Sequence, residues 1–171
     1  MTAQSMMTPP RAAAPRRPTF TDEALQRLTR WLARHSIDLL RVSLGLVFLG
    51  FGVLKFFPGA SPAEALVART LDTLSLGIVS GRSAVLLTAV AECFIGVTLI
   101  SGKLLKIGLL VLAGSLVGIM SPLVLFFGDM FPGAPTLEAQ YVFKDIVLVA
   151  GGLVVAARAL GASLVPGRIT W

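Results

Sequence analysis

Residues 83–101 read SAVLLTAVAECFIGVTLIS, nineteen residues with one charge, Glu92, near the centre. As a helix at about 1.5 Å per residue, such a run nearly matches the ~30 Å hydrocarbon core of a bilayer. Three more apolar runs of comparable length lie at 38–57, 104–127 and 142–160. The whole chain of 171 residues is 55% hydrophobic and only 14% charged, with mean hydropathy +0.83. Soluble domains carry about 25% charged residues. The expected fold is therefore all-α: an integral membrane four-helix bundle with spans at 38–57, 83–101, 104–127 and 142–160, filling a transmembrane domain over 37–161. No length remains for a soluble catalytic domain.

Working outward from the spans, charge sets the orientation. Arg11, Arg16, Arg17, Arg27, Arg30 and Arg34 precede the first span, Lys103 and Lys106 join the second to the third, and Arg158 and Arg168 follow the fourth. The third-to-fourth connection carries Asp129 and Glu138 with no base before Lys144. Positive residues stay on the cytoplasmic side, so both termini are expected inside, in a multi-pass protein of the bacterial inner membrane. The net charge of +6 then reflects topology and attraction to anionic lipid, with no nucleic-acid site. The first span starts too late for a cleaved secretory signal and no small-residue cleavage site follows it. A retained signal anchor is the expectation.

Residues 1–19, rich in Pro, Ala and Arg, lack an apolar period and read as a disordered cytoplasmic tail; residues 162–171 form a second tail. Over 20–36, Leu25, Leu28 and Leu32 share one helical face, with Arg27, Arg30 and Arg34 on the others and Trp31 as an interfacial ring. That pattern predicts an amphipathic helix lying on the inner membrane surface. Residues 61–64, SPAE, offer a capping box and a proline at the first helical position. They predict a short outer-surface helix over about 62–76. The GDMFPGAPTLEAQ connection (128–140) has turn chemistry and no strand pattern. The second and third spans join through SGK alone and must be antiparallel neighbours.

Small and charged residues recur at helical spacing. Arg41, Gly45, Phe48, Gly52 and Lys55 share a face of the first span, and Thr88, Glu92 and Gly96 a face of the second. The third has Gly114, Gly118 and Pro122; the fourth has Asp145, Gly152, Ala156 and Ala159. Gly45, Gly52, Gly96, Gly114, Gly118 and Gly152 are the expected sites of close helix packing. Pro122 is the expected kink, its missing N–H freeing the Gly118 carbonyl.

Arg41 and Lys55 lie roughly 21 Å apart along the axis. The expected pairing is Lys55 with Asp145 near the outer interface, with Glu92 deeper on the same side and Arg41 snorkelling to the inner interface. Ionisable groups inside a membrane are costly and mark functional sites, so Glu92, Lys55, Asp145, Lys144 and Arg41 are the candidate buried polar or proton site. The competing reading makes the same charges structural ties between helices. Cys93 points about 100° away from Glu92 and reads as packing. One cysteine and one histidine, His35, leave no disulfide, zinc or bis-histidine haem site within one chain.

LLRVSLGLVFLGFGVLKFFP (39–58), AVAECFIGVTLISG (89–102), SPLVLFF (121–127) and YVFKDIVLVAGG (141–152) together resemble the YkgB-like membrane proteins, relatives of the broader DoxX group. The resemblance rests on Arg41, on Gly52 with Lys55 and Phe56, on Glu92 with Gly96, and on Lys144 with Asp145. It implies a four-helix bacterial inner-membrane protein linked to membrane redox work or oxidative-stress defence. In that role the chain would be a small quinone-associated subunit acting with a redox partner protein, without independent enzyme activity. Intramembrane carboxylates equally fit a small proton-coupled transporter, working as a homo-oligomer, and the third reading is a non-catalytic membrane anchor or assembly protein. Membrane lipid is the expected surrounding in all three.

Overall fold

A computed structural model describes residues 20–163; the tails expected at 1–19 and over most of 162–171 lie outside them. Every regular element among the described residues is helical: α1 (Phe20–Leu54), α2 (Glu64–Leu74), α3 (Gly81–Ser101), α4 (Leu105–Met120), α5 (Pro122–Leu125), α6 (Phe127–Met130), α7 (Leu137–Lys144) and α8 (Ile146–Ala159). Among the described residues, three stretches are long and apolar enough to cross a membrane: Glu23–Leu54, Gly81–Ser101 and Leu105–Leu125. The described residues divide into two units, one ending at Arg34 and the other beginning at His35.

The amphipathic helix expected at 20–36 and the first span are one element. α1 runs 35 residues without a break, because no proline or glycine occurs between Phe20 and Gly45 to stop it. In the first unit, Leu25, Leu28, Trp31 and Leu32 are exposed. α1 ends in a turn where the Lys55 N–H donates to Gly52 O at 3.2 Å, shortly before Pro58.

The second unit has two apolar cores. In one, Leu44 and Phe48 of α1 meet Ile95 and Leu99 of α3, Leu112 of α4 and Val155 of α8. In the other, Leu66 of α2 meets Phe126, Met130 of α6, and Ala139 and Val142 of α7. α1 and α3 cross with their backbones nearly touching. A Cβ added at Gly96 would lie 2.6 Å from Leu49 Cβ and 2.7 Å from Leu49 N. At Gly45 it would lie 3.0 Å from Gly96 O, and at Gly52 2.9 Å from Cys93 N. Gly152 lets α8 approach α4, its added Cβ 3.3 Å from Leu112 Cδ2. Gly114 and Gly118 do not pack in this way: a Cβ at either meets nothing within 4 Å. Gly108, unmarked by the sequence pattern, does, since Thr98 of α3 already fills the position its Cβ would take. α3 and α4 form a tight hairpin whose joint opens at Gly102, in the left-handed region at φ 70°.

Three expected details change. The third span divides at Ser121, where Pro122 opens α5. The carbonyl of Gly118 is not left bare, because Ser121 Oγ donates to it at 2.7 Å. The run expected as a fourth span, 142–160, is not one helix: it takes in the end of α7 and all of α8, which meet at Asp145. α8 alone is 14 residues, about 21 Å, and falls short of a bilayer core. α2 forms where SPAE predicts it, but without the capping box. Its N-cap is Ala63 with no side-chain bond. The carboxylate of Glu64 instead accepts the Gly59 N–H at 2.8 Å and the Arg82 guanidinium at 3.0 Å, and the buried Ser61 hydroxyl has no hydrogen-bond partner among the described residues.

Candidate functional site

The α1–α3 crossing places the two most deeply buried charges side by side. Gly52 lets α3 come so close that its added Cβ would lie 3.0 Å from Glu92 Cβ. Lys55, one turn further along, then meets Glu92 directly. Nζ donates to Oε2 at 2.7 Å and to Oε1 at 3.0 Å, and the two residues are 2% and 5% exposed. This corrects the pairing of Lys55 with Asp145. The choice of partner follows from the close crossing at Gly52, which spacing along one helix does not reveal.

Asp145 stands at the joint of α7 and α8, half-buried, and its carboxylate accepts no hydrogen bond among the described residues. Its neighbour Lys144 is exposed, with Nζ 3.5 Å from the ring centroid of Tyr141 and 5.8 Å from that of Phe51. The Phe51 and Tyr141 rings meet edge to face at 5.9 Å. Arg41 is not part of this group. Its guanidinium donates to the carbonyls of Leu99 and Ile100 and lies 3.7 Å from Asp38. It thus covers the free carbonyls at the C-terminus of α3, where a cation is favoured by the helix dipole.

Lys55, Glu92, Lys144 and Asp145 all border a cavity of about 790 Å³. α1 contributes Phe48 and Phe51, α3 Thr88 and Ala91, and α4 Val111, Gly114, Ser115 and Gly118. Pro122, Tyr141 and Leu148 complete that side, and α2 forms another wall with Leu66, Val67, Thr70, Leu71 and Leu74. Most of this lining is apolar. The hydroxyls of Thr70 and Thr88 are spent on Leu66 O and Ala84 O of their own helices. The cavity's charged groups therefore gather in one patch, built on the Lys55–Glu92 pair, Asp145, Tyr141 and Lys144, within largely apolar walls to which α4 adds the Ser115 hydroxyl. Pockets of this size and makeup bind amphiphilic small molecules, with a few polar groups fixing orientation.

α2 is tied down by charge as well as by packing. Arg82 bridges Glu64 and the Phe56 carbonyl at 3.0 and 2.7 Å. Arg69 reaches Asp129 at 2.6 Å and stacks over Phe126 at 3.9 Å. Cys93 lies against Gly52 and does not line the cavity. No group of three or more His, Cys, Asp and Glu side chains among the described residues is arranged to hold a metal ion.

Sequence reasoning did not anticipate Phe51, Ser115, Tyr141 or the α2 wall as parts of one site. Tyr141 carried a usable signal, as the chain's single tyrosine, four residues before Asp145. No protein family model matches this chain, and no curated protein or solved structure matches it either.

Proposed function

We propose that this chain is a four-crossing protein of the bacterial inner membrane whose cavity holds a quinone, and that it serves as a small quinone-associated subunit beside a redox partner protein. The observation that carries this reading is the buried Lys55–Glu92 ion pair set in the wall of a large apolar cavity. Removing two charges from water is costly and an ion pair recovers that cost only in part. A polar pair kept at such a position, facing open space, is suited to a ligand with polar groups at one end.

The fourth crossing is α7 with α8, residues 137–159, interrupted only at Asp145. Both termini lie on the cytoplasmic side by the distribution of arginine and lysine. The likeness of the four helical signatures to YkgB-like and DoxX-related proteins supports the same assignment.

A quinone fits the donor set: Lys55, Lys144 and the Tyr141 hydroxyl offer protons to ring oxygens, and Glu92 and Asp145 accept them. When bound, a quinone supplies electron transfer coupled to proton uptake and release. The protein's own part is to exclude water, to orient the ring against Phe51 and Tyr141, and to hold a proton at the Glu92 or Asp145 carboxylate. Lys55 keeps Glu92 poised by sitting on both of its oxygens.

Titrating the purified protein with a ubiquinone analogue tests the reading. A saturable rise in melting temperature, as expected for a ligand that binds only the folded state, supports it. A flat melting temperature across the titration removes it.

A further inference from the structure

The cavity is larger than a quinone ring needs. At roughly 30 Å³ for each water-sized group, 790 Å³ holds about 26 such groups. A dimethoxy-methyl-benzoquinone has about 13 heavy atoms and, even at a full water's share for each, fills about half of that space. Part of the lining is α4, where Gly114 and Gly118 border the cavity.

Gly114 and Gly118 lie four residues apart on α4 and so share one helix face, and both border the cavity, as does Pro122 at the start of α5. The two glycines are about 6 Å apart along the axis. A Cβ at Gly114 or Gly118 meets nothing within 4 Å. Neither glycine has the positive φ that would demand glycine. Glycine weakens a helix relative to alanine, and at these two positions neither packing nor backbone conformation requires it. What the two glycines provide is room. Gly114 and the neighbouring Val117 are exposed, so this side of the cavity opens laterally, toward the lipid in the proposed membrane setting.

We propose that the α4 face of the cavity is a tail channel in which Gly114 and Gly118 accommodate a single prenyl or alkyl chain, while the ligand's polar ring sits at the Lys55–Glu92 and Asp145 patch. This rests on the quinone reading above. It makes the two glycines specificity-determining residues, selecting long-tailed quinones over tail-less ones. A chain lying there leaves the bundle sideways without crossing the α2 wall.

The test compares decylubiquinone, the tail-less dimethoxy-methyl-benzoquinone and decanol on the purified protein, with affinities corrected for partition into detergent. In the wild type, decylubiquinone is expected to bind at least about tenfold tighter than the tail-less ring, about 1.4 kcal/mol, and decanol more weakly than decylubiquinone. Gly118→Leu and Gly114→Leu, which place side chains in open space, are expected to keep the wild-type melting temperature and the affinity for the tail-less ring. Both are expected to lose the tenfold advantage of the tail. Equal binding of the tailed and tail-less quinones to the wild type overturns the channel and leaves the ring site standing. So does a full tail advantage in both leucine variants. Decanol binding as tightly as decylubiquinone overturns the pairing of ring site and channel, and indicates a lipid chain site. If neither quinone binds, the quinone reading itself fails.

Discussion

Two sets of glycines in apolar helices have different surroundings. At the α1–α3 crossing, an added Cβ on Gly96 would strike Leu49 Cβ and N at 2.6 and 2.7 Å, and Gly45 and Gly52 are nearly as tight. On α4, Gly114 and Gly118 face open space. In the first region glycine lets two backbones touch, which is how helices associate where lipid removes the hydrophobic drive. In the second it leaves a volume unfilled. Lys55 and Glu92 stand where these regions adjoin: the close crossing brings them together, and the cavity gives them an outlook. A small residue in a membrane helix thus marks either a contact or a hole, and the facing element decides which.

Substitutions that set one region against the other are ranked by how much packed structure each disturbs. The largest effect is expected for Lys55→Met, which leaves Glu92 buried without its cation. Losing one member of a buried pair costs about 3–5 kcal/mol, read as a lower unfolding midpoint in detergent. Replacing both residues, Lys55→Met with Glu92→Leu, is expected to restore most of that loss, and a double-mutant cycle measures the coupling. Purely additive losses would show that the pair is not coupled as the 2.7 Å contact implies.

Gly96→Val comes next. Overpacking a tight contact costs about 1–3 kcal/mol, and here the opposing atoms include backbone, so the upper end is expected. The same thermal assay should find Gly118→Val within about 0.5 kcal/mol of wild type. If the two valine variants melt together, the contrast between crossing and cavity is wrong. Arg41→Gln removes charged hydrogen bonds to the last carbonyls of α3, worth about 1.5–3 kcal/mol where they are shielded. Its partly exposed setting places the expected loss near the lower figure.

The smallest effect is at the surface. Arg82→Ala breaks a pair with Glu64 in which both side chains are partly exposed, and such pairs contribute about 0–1 kcal/mol. Its expected signature is a shift that shrinks as salt is raised.

Three of the four apolar runs were legible because length and hydropathy are local properties. Glu92 and Lys55 were legible as buried charges for the same reason, and α2 from the SPAE and the amphipathic run after it. The choice of Glu92 over Asp145 as the partner of Lys55 was not legible. It depends on how closely α3 approaches Gly52, a property of two helices that neither carries alone. The interruption at Asp145 was equally hidden, since YVFKDIVLVAGG has no proline or glycine at the break. The Ser61 capping box failed because Glu64 found other donors, Gly59 N and Arg82, the second of them distant in sequence. Gly108 escaped notice because its reason for being small, Thr98, lies across the α3–α4 hairpin.

Photolabelling of the intact protein in membranes with an azido-quinone, followed by peptide mapping, tests the central claim most directly. The site described here places the label on peptides that carry the cavity wall, Thr88–Glu92 of α3 and Tyr141–Asp145 at the α7–α8 joint, with protection by excess unlabelled quinone. Labelling confined to peptides that do not line the cavity, or labelling that excess quinone does not suppress, would contradict it.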